Sequence, residues 1–144
     1  MQIYYLKSKI EAVDRETINN LVVTNPYTLG LQNMMYAFVE EDEKKTIEYY
    51  MNALKNLEHI KYYYVECIYY FSNFLKDINH TDYEHWVNTG YIIAKEHYYG
   101  FLIYKFECLL GKSTDEYNED NYPLPEELNF SEYITFAKKH FNIR

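Results

Sequence analysis

The side chains most able to do chemistry in this chain are five histidines, two cysteines and 22 carboxylates. Their spacing decides whether they can act together. Asp77-x-x-His80 and Asp82-x-x-His85 resemble half of a helical metal site. A four-helix di-metal site needs Glu-x-x-His twice with further glutamates, and no Glu-x-x-His occurs. Asp77 and His80 also fall at an expected helix end, where capping is the simpler role. Glu84-His85 and Glu96-His97 are adjacent pairs whose side chains diverge by ~100° on a helix and cannot share an ion. The chain has no Gly-rich phosphate loop, no His-Glu-x-x-His and no Cys-x-x-Cys. Cys67 and Cys108 sit in apolar helical runs and read as small core residues. A site assembled in space from Cys67 or Cys108 with His85 or His97 is the one route left to an enzyme. The expectation is a non-catalytic protein without metal or cofactor.

The larger signal is tyrosine, 19 of 144 residues, in a chain of formal charge −8. A tyrosine ring has an apolar body and one polar tip, which suits a core rim or a protein contact. Tyrosine, lysine and asparagine also share AT-rich codons, so part of the excess is coding bias. The charge is uneven. Residues 107–132 hold eight acids and one base, residues 133–144 carry +3, and Glu40-Glu41-Asp42-Glu43 forms a second acidic knot. An isolated acidic run usually just faces water. Here tyrosines interleave, as Asp115-Glu116-Tyr117-Asn118-Glu119-Asp120-Asn121-Tyr122. Carboxylates mixed with phenols suit a surface that covers a basic cleft. Asp115, Glu116, Tyr117, Glu119, Asp120 and Tyr122 are therefore candidate partner-binding residues. Helical geometry supplies a second patch: with Tyr64, Ile68, Phe71 and Leu75 facing inward, Tyr62, Glu66, Tyr69 and Asn73 fall opposite. Tyr62, Glu66 and Tyr69 are candidates if that face meets solvent, and ordinary structure if another helix covers it. No basic stripe exists for direct nucleic-acid binding.

The elements that must position these residues are helices. Four glycines and three prolines give little punctuation, and the apolar spacing is mostly three-four. Ser8 and Glu11 read as a capping box that leads a helix through Ile10, Val13, Ile18 and Val22, stopped at Asn25-Pro26. Residues 1–7 read equally as strand, extended arm or helical extension. A shorter helix carries Leu31, Met34, Met35 and Phe38 to about Glu40. From Glu43 to Ile78 the pattern is continuous, and one helix would be ~54 Å long. A domain of this size has a radius of gyration near ~15 Å. Two helices broken near Asn56 to His59 are favoured over a coiled-coil dimer. Thr81 with Glu84 reads as the next capping box. It opens a stretch to Leu110 that is apolar on every face, with Gly90 marking a kink or a close helix approach. Gly111 is the expected C-terminal cap. Residues 112–125 read as an acidic loop, and Ser131-Glu132 opens a last helix through Phe141. The fold expected is all-α, one compact bundle of five to seven helices spanning residues 1–144.

Composition fits a single globular domain large enough to form a core without staples. Two cysteines are no disulfide framework, which favours a cytoplasmic setting. The first residues lack a basic region followed by an apolar run, and no apolar stretch approaches the ~20 residues of a membrane span, so neither leader nor membrane is expected. In size, acidity, helicity and aromatic richness across its whole length, the chain resembles the small acidic immunity proteins of bacterial toxin-immunity systems, such as those of contact-dependent growth inhibition. No motif is part of that likeness. It implies a cytoplasmic antidote that covers the active site of a cognate toxin, a nuclease domain being the basic partner that the charge suits. The competing reading is a helical scaffold or homo-oligomer built on the seam from Ile47 to Ile78. A stable dimer by light scattering would favour the scaffold.

Overall fold

A computed structural model describes residues 1–113 and 115–124. The expected helix from Ser131 and the residues beyond Leu124 lie outside the described residues. Seven α-helices and one short 3-10 turn follow in order, with no strand among the described residues. They are α1 (Gln2–Ser8), α2 (Arg15–Asn19), α3 (Pro26–Val39), α4 (Glu43–Leu57), α5 (Lys61–Asp77), α6 (Tyr83–Glu96) and α7 (Gly100–Leu109). The 3-10 turn is Glu119–Asn121.

Helix starts follow side-chain caps. Asp14 accepts from the Thr17 amide to open α2, and Asp42 accepts from the Lys45 amide to open α4. Asn25 and Thr28 form a reciprocal box at the start of α3, with Pro26 in the first turn where its missing N–H is not needed. Asn25-Pro26 thus begins a helix as well as ending the segment before it. Two expected caps are corrected. Ser8 is the last residue of α1, where its hydroxyl donates to the Tyr5 carbonyl, and the N-terminal segment is helical from Gln2. Asp82, not Thr81, precedes α6. The expected helix through Ile10 and Val22 is reduced to the five residues of α2.

The long apolar stretch breaks as favoured. The break falls at residues 58–60, where Ile60 leaves helical geometry at φ −117°, ψ 77°, and α5 folds back along α4. Tyr50, Leu54 and Leu57 from α4 meet Ile68, Phe71 and Leu75 from α5 in the core, joined by Met34 and Met35 of α3. The seam offered to a coiled-coil partner is therefore filled by the chain itself. The next stretch also divides, into α6 and α7 at His97–Tyr99. Gly90 marks a close approach: a methyl group there would overlap Phe106 of α7 and Ile68 of α5.

Three successive helices stop by one device. After α5, the amides of Asn79 and His80 reach back to Lys76 and Leu75 carbonyls. After α7, those of Gly111 and Lys112 reach Cys108 and Glu107. Between them, Tyr98 and Tyr99 reach Lys95 and Ala94. Each pair is the Schellman motif, which needs a left-handed residue at its turn. Asn79 (φ 53°) and Gly111 (φ 75°) are residues that tolerate it, whereas Tyr98 (φ 57°) adopts it at a cost of about 1–2 kcal/mol.

Candidate protein-docking face

The described part of the acidic loop, up to Leu124, is a strap tied to α7 by phenols. Tyr104 donates to the Asp115 carbonyl at 2.7 Å, and Tyr122 donates to one oxygen of Glu107 at 2.7 Å. The other Glu107 oxygen accepts from Tyr91 of α6 at 2.9 Å. Glu107 therefore works inside the fold, and part of the charge counted along residues 107–132 is spent on hydrogen bonds. Loss of water and the neighbouring carboxylate push the Tyr122 phenol well above its usual value. Asn118 accepts from the Asp120 amide and starts the 3-10 turn that carries Glu119 and Asp120.

These ties leave the rings together and the acids outside. The Tyr117 ring meets Phe101 edge-on at 5.2 Å, Tyr104 at 5.5 Å and Tyr122 in a stack at 5.8 Å. Asp115, Glu116, Glu119 and Asp120 are all exposed. Phe101 keeps 47% of its surface open and Tyr117 keeps 36%. Next to them is a groove of about 270 Å³ lined by Tyr69, Phe101, Tyr104, Lys105, Cys108 and Tyr117. The Lys105 ammonium lies 4.7 Å from the Tyr69 ring centre and 5.5 Å from that of Phe101. Partial loss of water lowers its pKa, and the Glu66 carboxylate offsets part of that shift.

The two patches expected from the sequence partly merge here. Tyr69 and Tyr117 share the groove. Tyr62 is exposed and packs edge-on against Tyr99 at 5.2 Å. Tyr99 adjoins Gly100, where an added methyl group would lie 3.1 Å from Tyr122 and 3.4 Å from the Tyr117 hydroxyl. Glu66 is a correction. It is buried, accepts a hydrogen bond from Tyr5 and pairs with Lys9 at 2.8 Å. Two causes explain it: α1 is a helix that covers this side of α5, and Tyr5 and Lys9 satisfy the carboxylate. Glu66 consequently anchors α1 and presents nothing to a partner. Tyr69 is half-buried against Phe106, so the face opposite the core is solvent-facing only towards Tyr62 and Asn73.

Phe101 and Tyr104 belong to the face and were not foreseen. They sit in an apolar run that reads as wholly buried, and the only hint was Gly100, which lets the strap approach. Other candidates resolve as structure. His80 accepts from the Asp82 amide, His85 packs against Trp86, and His97 stacks on Tyr99. Cys67 is buried, and burial pushes its thiol up, whereas Cys108, expected in the core, is exposed at the groove because its side of α7 faces the strap and not the bundle. Among the described residues no three of His, Cys, Asp or Glu gather to hold a metal ion. In the second acidic knot, Glu40 pairs with Arg15 and Asp42 caps α4. No helix among the described residues is long and apolar enough to cross a membrane. Comparison with family models, curated proteins and solved structures gives no match.

Proposed function

We propose that the chain is a cytoplasmic, non-catalytic binding protein that neutralises a basic protein, as an immunity protein covers the active site of a toxin nuclease domain. One observation carries this reading: four exposed carboxylates rim a cluster of partly open aromatic rings on a strap held to the bundle. Aromatic rings supply buried contact area at low entropy cost, and the anions steer a cationic partner and take the place of its phosphates. Co-expression with the protein encoded immediately upstream tests it. Growth rescue together with co-purification is the expected result. Failure of both moves the antidote below the scaffold.

The scaffold is the second reading. It loses the Ile47–Ile78 seam, which the core consumes, but gains Ile3, Leu6 and Ile10, exposed at the α1 end of the molecule. Light scattering separates the two, since a stable dimer of the isolated chain favours self-association.

A further inference from the structure

Tyr98 holds a backbone position that its neighbours in the fold give to better-suited residues. The three equivalent turns after α5, α6 and α7 carry Asn79, Tyr98 and Gly111. Asparagine and glycine reach the left-handed region readily, while a bulky ring there is an outlier. Strain of this kind persists where surrounding structure enforces it, and such positions gather at binding sites. Tyr98 stays 42% exposed. Among the described residues it stacks on no other ring and is absent from the group packed on the core. It stands two residues from Gly100, the point where Tyr117 and Tyr122 close on α7.

We propose that Tyr98 is an anchor of the docking face, its ring receiving a guanidinium-bearing side chain of the basic partner. This rests on the proposed function and names the chemistry of the contact. Exposed Glu96 lies two residues before Tyr98, the exposed Lys95 ammonium is drawn 4.1 Å over the Tyr91 ring, and the segment whose rings close on Gly100 carries the exposed strap carboxylates. A planar guanidinium stacks on an electron-rich ring better than a hydrated ammonium does. The molecule already uses this pairing internally. The Arg15 guanidinium lies 5.4 Å over Tyr36 and 6.0 Å over Tyr49, with Glu40 as its counter-charge.

The test measures thermal stability and binding of nona-arginine and nona-lysine peptides at low ionic strength, for wild type, Tyr98→Gly, Tyr98→Phe and a strap variant with Asp115, Glu116, Glu119 and Asp120 changed to lysine. Tyr98→Gly melts higher than wild type, because the strain is relieved, yet binds nona-arginine about 3- to 5-fold more weakly. Its loss for nona-lysine is smaller, and Tyr98→Phe keeps the wild-type preference for arginine. Unchanged nona-arginine binding by a stabilised Tyr98→Gly overturns the anchor, as does a lower melting temperature, which would make the ring a packing residue. Unweakened binding by the strap variant instead overturns the proposed function while leaving the Tyr98 comparison readable. Absence of nona-arginine binding by wild type overturns both.

Discussion

Glu66 shows how a single side chain can reverse the reading of a helix face. Helical spacing places it opposite Ile68, and without α1 it would meet water. Tyr5 and Lys9 convert it into a buried, satisfied carboxylate, so removing one partner costs more than the net worth of the bond. Tyr5→Phe should destabilise by about 1–3 kcal/mol. Its effect should also be non-additive with Glu66→Gln in a double-mutant cycle read by urea unfolding. Additive effects would mean that the two groups do not interact in solution. The tyrosines of α5 should part company in the same assay. Tyr62→Ala, at an exposed ring, should stay within about 0.5 kcal/mol, and Tyr69→Ala, against Phe106, should cost about 1–3 kcal/mol. Ile68→Ala, fully buried, should cost about 2–5 kcal/mol.

Helices, as elements, were legible where side chains signal locally. Asn25, Pro26 and Gly111 act within one turn of their own positions, and the break after Leu57 follows from compactness. What could not be read depended on distant partners. Ser8 can cap forwards or bond backwards, and Tyr5 facing α5 decides between them. The stretch from Asp82 to Leu110 looks like one buried helix, because an apolar ring at the docking face and one in the core are the same letters. The strap was found by its charge, but its attachment through Tyr104, Tyr122 and Glu107 needed coordinates. Gly90 is the element-scale test. Gly90→Ala improves helix propensity yet forces Phe106 and Ile68 apart, so it should destabilise by about 1–3 kcal/mol. A stabilised Gly90→Ala would show that α5, α6 and α7 pack less closely than described.

Across the whole molecule, tyrosine and charge act together. Burial raises many phenols, and for Tyr5, Tyr91 and Tyr122 a neighbouring carboxylate raises them further. A group whose folded pKa is raised keeps its proton longer in the fold than in the open chain. Its stability contribution is full below the ordinary value of 10.0 and is lost as pH climbs above it. Melting temperature should therefore fall above pH 10, and phenolate absorbance should rise in two phases, exposed rings first and buried rings on unfolding. A single phase at the ordinary value would contradict the packing of these rings. The four exposed carboxylates of the strap set up a negative field that fades beyond roughly 10 Å at ordinary salt. Association of the chain with its co-purified basic partner, followed by stopped flow across a salt series, therefore tests the central claim most directly. Wild type should bind quickly at low salt and slow steeply as salt rises, while lysines in place of Asp115, Glu116, Glu119 and Asp120 should slow binding and flatten that dependence. Equal rates and equal salt dependence in the two proteins would remove the strap from the interface and the account with it.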